Sequence, residues 1–263
     1  MLQDRYQVVD VALDAPGAKK IVMTTLDKAI AALPGLLFDI DPARLAISSG
    51  FLGRDRKGAR LGADGNGFSL PASSFLNNRR CLRMDGSVGF LIQLMRGLTS
   101  KSYTLIYIGT LAPAVRDTTT GTSRALFSVY DGTTPTVWAR IAPTTGALSF
   151  STTSTIGGAT VAQANLPASN TGAIFTFARD DATDSHSINI NGTTVATSTA
   201  DAGNPTISQD KRVGIGSVDA LSSTRSFYGD GGRFIGVDSN VLADAPTLFN
   251  EFVAAAKPYF GIA

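Results

Sequence analysis

The chain has 263 residues, 43% of them hydrophobic and 17% charged, with a formal net charge of +2. A chain of this length fits a single all-β domain and buries enough surface, roughly 70% of what unfolding exposes, to need no disulfide staples. One cysteine (Cys81) and one histidine (His186) exclude a disulfide framework, a cysteine-rich zinc site and a two-histidine metal site, and Glu251 is the only glutamate among the 21 acidic residues.

Nucleic-acid binding asks for a basic stripe. Lys19-Lys20, Arg54-Asp55-Arg56-Lys57 and Arg79-Arg80 are instead short, separated and read as solvated loops. No apolar run reaches the ~18 to 20 residues of a membrane span, and Met1-Leu2-Gln3-Asp4-Arg5 lacks the basic-then-apolar layout of a secretory signal. The expectation is a soluble protein made in the cytoplasm without a signal peptide, with no nucleic-acid partner, no membrane and no cofactor.

In chain order, Gln7-Val8-Val9-Asp10-Val11-Ala12-Leu13 reads as a strand broken at Asp14-Ala15-Pro16-Gly17. A short helix follows, capped by Thr24 or Thr25, with Leu26, Ala29, Ile30 and Leu33 at helical spacing and Pro34-Gly35 as its stop. Too short to stand alone, it is expected, with the residues before it, to form a docking arm over 1–34. From 35 to 263 the pattern changes to short apolar runs between turn residues. Strands are expected at Leu36-Ile40, Cys81-Met84, Phe90-Met95, Tyr103-Ile108, Ala125-Tyr130, Val137-Ile141, Leu148-Ser151, Ile174-Ala178, Ser187-Ile190, Thr194-Thr197, Arg212-Ile215 and Arg233-Val237. Asn191-Gly192 between two of them is a type I′ hairpin signal, and Asp131-Gly132 and Thr145-Gly146 are turns of the same kind. Asp244-Ala245-Pro246 then starts a helix whose apolar face is Leu248, Phe249, Phe252, Val253 and Ala256, with Lys257-Pro258 as its expected end. Many short strands at near-regular spacing mean a sandwich or barrel.

The order of these pieces resembles the concanavalin A-like, or laminin-G-like, jelly-roll family. Leu82-Arg83-Met84-Asp85-Gly86-Ser87 looks like its early strand ending in an Asp-Gly turn, and Ser102-Tyr103-Thr104-Leu105-Ile106-Tyr107 like its Ser-aromatic-Thr strand. Leu126-Phe127-Ser128 with Asp131-Gly132, and Gly146 to Phe150, are similar to the middle strands. Ser187 to Thr193 is similar to the late hairpin, and Arg212 to Gly216 with Phe227 to Val237 to the closing strands. The C-terminal helix and the lead-in from Leu36 to Arg56 resemble members from tailed-phage or phage-derived particles. The resemblance covers residues 35–263 and rests on order, since no single motif is diagnostic. It implies an all-β concanavalin A-like jelly-roll sandwich with a short N-terminal arm or helix and a C-terminal helix.

Glycoside hydrolases of this wide fold place a pair of carboxylates across one glycosidic bond, carried as neighbouring glutamates on one strand. The lone Glu251, read as a solvated helix position, departs from that pattern, so the chain is expected not to be an enzyme. Asp180-Asp181-Ala182-Thr183-Asp184 reads as a polar turn rather than a calcium loop, so no metal is expected. His186 reads as an exposed histidine at a strand start, Cys81 as a buried small hydrophobe, and Gly62-Ala63-Asp64-Gly65-Asn66-Gly67 as a loop rather than a phosphate cradle. Trp138, the only tryptophan, and Arg140 point to one face of their strand, with Val137, Ala139 and Ile141 on the other. Such a pair can stack a sugar's apolar face and meet its hydroxyls. Tyr228 and Asp230, on an expected Gly229–Gly232 turn at a sandwich end, are the second carbohydrate-binding candidate.

The resulting expectation is a non-enzymatic virion structural protein of a phage or phage-like particle. It would be anchored to other particle subunits through residues 1–34, assemble as a homo-oligomer or part of a larger assembly, and adhere to host surface polysaccharide. A purely structural decoration or adaptor subunit is the alternative, and a polysaccharide depolymerase a minor one.

Overall fold

Glycine, proline, asparagine and aspartate interrupt the apolar runs often enough that no long helix can form before the C-terminal segment. In the computed structural model, residues 23–45, 51–54, 60–64, 69–86, 89–93, 102–131, 134–152, 158–199, 212–216 and 227–263 are described. Helix α1 (Thr25–Ala32) is followed by β1 (Leu36–Ile40), β2 (Phe51–Arg54), β3 (Arg60–Asp64), β4 (Ala72–Ser73), β5 (Arg79–Arg80), β6 (Leu82–Asp85), β7 (Gly89–Gln93) and β8 (Tyr103–Gly109). Then come β9 (Arg124–Asp131), β10 (Thr134–Ile141), β11 (Leu148–Thr152), β12 (Ala159–Val161), β13 (Ala173–Asp180), β14 (Ser185–Ile190), β15 (Thr193–Ser198), β16 (Arg212–Ile215) and β17 (Tyr228–Val237). Helices α2 (Val241–Asp244) and α3 (Pro246–Phe260) end the order.

The fold is an all-β sandwich. One antiparallel sheet runs β1-β17-β8-β13-β14-β15, with β6 also paired to β17, and the other runs β12-β11-β10-β9-β16-β7-β3-β2. Each expected strand from Leu36 onward has its counterpart. Short β2, β3, β4, β5 and β12 do not come out of the strand pattern: β3 takes in Gly62-Ala63-Asp64, read as loop, and β5 is the Arg79-Arg80 pair. The Asn191-Gly192 hairpin is as expected, with both residues at positive φ (55° and 95°) between β14 and β15. The Gln7–Leu13 strand, Lys19-Lys20, Asp55–Lys57, Gly65–Gly67 and Gly132 lie outside the described residues.

Alternation along the strands separates two cores. Tyr103, Leu105, Tyr107, Phe175, Phe177 and Phe234 meet Leu126, Phe127, Phe150, Val213 and Ile215 between the sheets. Their neighbours Ile106, Ile108, Ile174, Ile235 and Val237 point the other way, into a second core with α1 and α3. The central strands β8, β13 and β17 are therefore covered on both faces, which is why β8 and β13 read as mostly apolar runs.

Helix α1 starts as expected. Thr24 caps it through its Oγ1, which accepts from the Asp27 N–H at 3.1 Å, while Asp27 Oδ2 accepts from the Thr24 N–H at 3.1 Å. Its position corrects the docking-arm expectation for residues 25–33. Leu26, Ile30 and Leu33 are buried in the second core against Phe249, Phe252 and Phe260 of α3, so this helix is part of the body. Residues 1–22 lie outside the described residues. Two boundary expectations for α3 also change. Asp244 belongs to α2, where its carboxylate accepts from the Asn240 N–H, and Ala245 precedes α3. Pro258 does not end the helix, which continues to Phe260 and stops at Gly261 in the left-handed region. Pro258 cannot donate to the carbonyl of Ala254, but both residues are exposed, so solvent can replace that bond.

Between helix layer and sheet lies a buried charge cluster. Arg233, 1% exposed, donates through Nε to Asp39 Oδ1 at 2.6 Å and through Nη2 to Asp39 Oδ2 at 2.8 Å and Asp27 Oδ1 at 3.2 Å. Its Nη1 meets Asp41 Oδ2 at 2.8 Å, and the half-exposed Arg44 reaches Asp41 at 3.4 Å and Asp27 at 3.7 Å. Burial would push the Arg233 guanidinium down, but Asp39, Asp41 and Asp27 outweigh it and raise it further. Replacing Arg233 by Met leaves several carboxylates uncompensated, and urea denaturation should show a loss of about 3–5 kcal/mol. Deleting residues 1–34 removes Leu26, Asp27 and Ile30 and should abolish the cooperative melt.

Candidate functional site

Trp138 and Arg140 lie on the outer face of the eight-stranded sheet, because Ala139 and Ile141, which alternate with them, are buried in the inter-sheet core. Cross-strand partners set their surroundings. Trp138 stands opposite Ser128 of β9 and Ser151 of β11, and Arg140 opposite Ala125 and Ser149. A register shift between Ala139 and Arg140 marks a bulge there, the kind of irregularity that re-aims a side chain. The Arg140 guanidinium lies over the indole, 4.7 Å from its centroid, instead of extending away beside it. Arg140 also reaches Ser123 Oγ at 3.5 Å, and its carbonyl accepts from Ser149 Oγ at 3.5 Å. The result is a half-buried aromatic–guanidinium pair flanked by hydroxyls.

Tyr228 and Asp230 do not join that pair; they belong to the seven-stranded sheet. The expected Gly229–Gly232 turn is corrected: these residues are inside the ten-residue strand β17. Tyr228 packs its ring against Gly86, which sits at φ 84° and where an added Cβ would come within 1.9 Å of the ring, and under the Arg124 guanidinium at 5.0 Å. Asp230 is 5% exposed, and Arg83 donates to both its carboxylate oxygens at 2.8 and 2.9 Å. Its N–H donates to Thr110 Oγ1, and its carbonyl accepts from Tyr107 Oη. Burial pushes the Asp230 carboxyl up, but bonds from Arg83 and Ser73, with the Arg83 charge, bring it below the usual range. Both residues thus have structural partners where they stand.

His186 is fully buried rather than exposed, packed edge-on to Phe150 with ring centroids 5.0 Å apart. The strand β14 begins two residues earlier than the sequence suggests, at Ser185, which places His186 opposite Arg179 inside the sheet. The Asp180–Asp184 segment is the expected hairpin turn. Asp180 Oδ1 accepts from the N–H groups of Ala182 and Thr183, and Asp184 accepts from the buried Arg179 at 2.5 Å. Among the described residues, no group of three or more His, Cys, Asp or Glu is placed to hold a metal ion. Glu251 is an exposed residue of α3.

Sequence reasoning missed a third arrangement, at the edge of the helix layer. The Arg79 guanidinium lies 4.0 Å over the Tyr259 ring and its Nε donates to the Tyr259 carbonyl at 3.3 Å. Beside them is a cleft of about 180 Å³, also bordered by Asp41, Asn78, Arg80 and Phe260. The buried charges had a signal: Asp39 in Leu36-Leu37-Phe38-Asp39-Ile40 and Arg233 before Phe234-Ile235 interrupt apolar strands, and a charge there requires a partner. Which residue that partner is could not be read from spacing, since Arg233 and Asp39 are 194 positions apart.

The sequence matches no protein-family model and no curated protein. Solved structures do resemble it. The binding domain of botulinum neurotoxin serotype D shares 10% identity at a TM-score of 0.57, over 86% of this chain and 52% of that one. Domain 4 of an extracellular arabinanase from Geobacillus stearothermophilus, in complex with arabinotriose, shares 12% at 0.55, over 85% and 99%. A Trypanosoma rangeli sialidase in complex with 2,3-difluorosialic acid shares 8% at 0.55, over 85% and 33%. The likeness is one of fold. This chain spans about half of the neurotoxin binding domain and nearly the whole of the arabinanase domain.

Cys81 is buried as expected, and burial, reinforced by Asp230, pushes its thiol up to about 12. Iodoacetamide should therefore label it only after unfolding. Because the unfolded thiol loses its proton near pH 9 and the folded one only near 12, stability should fall as pH rises through that window. Urea denaturation of Cys81→Ala should show a flatter decline.

Proposed function

We propose that this chain is a non-catalytic, lectin-like module that binds surface polysaccharide through the outer face of its eight-stranded sheet. The observation that carries the reading is the Trp138–Arg140 pair. An indole offers an apolar surface to a sugar ring, and the guanidinium with the half-buried Ser123 and Ser149 offers the hydrogen-bonding groups that hydroxyls require. The fold supports it, since the similar arabinanase domain and one similar neurotoxin binding domain are described in complex with arabinotriose and with SialylT. A binding rather than hydrolytic role is supported by the carboxylates. Asp27, Asp39 and Asp41 gather around Arg233, Asp230 is held by Arg83, and the single glutamate, Glu251, is exposed on a helix.

The wider setting we propose is a phage or phage-like particle, in which the sandwich adheres to host glycan and residues 1–22 contact other particle subunits. It rests on the resemblance of the C-terminal helix and of the lead-in from Leu36 to Arg56 to members from such particles. With α1 built into the body, the proposed anchor is shorter than the expected 1–34.

Titration of fluorescently labelled protein with a panel of bacterial surface polysaccharides tests the reading, with reducing ends assayed in the same samples. Saturable binding without sugar release is expected. Trp138→Ala should weaken it roughly thirtyfold, with Trp138→Phe retaining part of it and both variants melting with wild type. No saturable binding to any polysaccharide would favour a purely structural subunit, and released reducing ends a depolymerase.

A further inference from the structure

We propose a second ligand site, separate from Trp138: the cleft between β5 and the end of α3 binds the carboxylate of an acidic saccharide through Arg79 and Arg80. Its borders come from three elements that the fold forces together. The β4–β5 hairpin supplies Asn78, Arg79 and Arg80, the end of α3 supplies Tyr259 and Phe260, and Asp41 stands beneath. Asn77 and Asn78 both adopt positive φ (52° and 54°), a tight reversal that leads straight into the two arginines of β5, both of which border the cleft.

Both guanidiniums are held by one nitrogen only. Arg79 Nε donates to Tyr259 O and Arg80 Nε to Leu70 O, each at 3.3 Å, so these bonds leave the Nη groups of both as donors. Stacking on Tyr259 further fixes Arg79, so little side-chain freedom remains to be lost on binding. Planar guanidinium forks match a carboxylate's two oxygens.

The nearby negative groups do not oppose this. Asp41 is matched by Arg233 at 2.8 Å and by Arg44 at 3.4 Å. The carbonyls at the end of α3 are occupied as well: Lys257 O accepts from Gly261 and Ile262, and Tyr259 O from Asn77 and Arg79.

The dimensions argue for a saccharide. At about 180 Å³ the cleft is smaller than the roughly 300–1,000 Å³ of sites for drug-sized ligands, so it takes one sugar unit. Arg79 and Tyr259 also border a shallower groove of about 590 Å³ running past Thr25 and Pro258. A ligand continuing from one into the other is a chain of units, with its acid group in the cleft and its neighbours crossing the Tyr259 edge.

Calorimetric titration of the full chain with sialyllactose and with trigalacturonate, against lactose as the neutral control, tests this. At least one acidic probe should bind roughly tenfold or more tighter than lactose, and added salt should weaken it. Arg79→Ala and Arg80→Glu should each lose that preference, and Trp138→Ala should keep it. Arg80 lies away from the Tyr259 stack, so its variant reads binding even where Arg79→Ala unfolds. Equal binding of acidic and neutral probes, no binding of either acidic probe, wild-type affinity in Arg80→Glu, or loss of the preference in Trp138→Ala would each overturn the proposal. If Trp138→Ala loses only neutral-polysaccharide binding, the two sites are distinguished.

Discussion

One arginine holds the helix layer to the sheet. Arg233 sits on the strand shared by β1, β6 and β8 and reaches across to Asp39 on β1, Asp41 just beyond it and Asp27 in α1. Asp27 divides its two oxygens, one to Arg233 and the other to the N–H that starts its own helix. A single carboxylate therefore sets both where α1 begins and how it is oriented over the sheet. Charges this deeply buried are tolerable only when paired, and three carboxylates against two guanidiniums make the pairing specific in geometry as well as sign. The apolar contacts of Leu26, Ile30 and Leu33 supply the larger stabilisation, but such contacts are non-directional and would accept other orientations.

The same arrangement divides the molecule's surface by role. Around its centre, one face of the seven-stranded sheet is closed by helices and the other by the opposing sheet, so β8, β13 and β17 have almost no surface left for recognition. Candidate ligand groups accordingly lie on the outer face of the eight-stranded sheet and along the rim of the helix layer. Tyr228 and Asp230 show the rule from the other side. Their position beside glycines suggests a loop, yet β17 continues through them, and each is engaged by an arginine of another strand.

Local physics was legible in the sequence wherever it acted over a few residues. The α1 cap, the Asn191-Gly192 turn and the alternation placing Trp138 opposite in direction to Ala139 all follow from near neighbours. What stayed hidden is set by distant ones. Arg79 stacks on a ring 180 positions away, and His186 is buried because Phe150 of the opposite sheet covers it. Pro258 misled for a subtler reason: its helix-breaking effect depends on whether water can reach the orphaned carbonyl, which spacing does not reveal.

The pairing of β1 with β17 has a consequence for how the chain acquires its shape. Helix α1 and β1 leave the ribosome about 200 residues ahead of their partners in β17 and α3. Until residues 228–260 have left the ribosome, Leu26, Ile30 and the aspartates around them lack Arg233 and the apolar face of α3. Long-range pairings of this kind slow folding and leave partly exposed apolar surface in the meantime. The first helix of the helix layer is thus translated well before the partners it settles against.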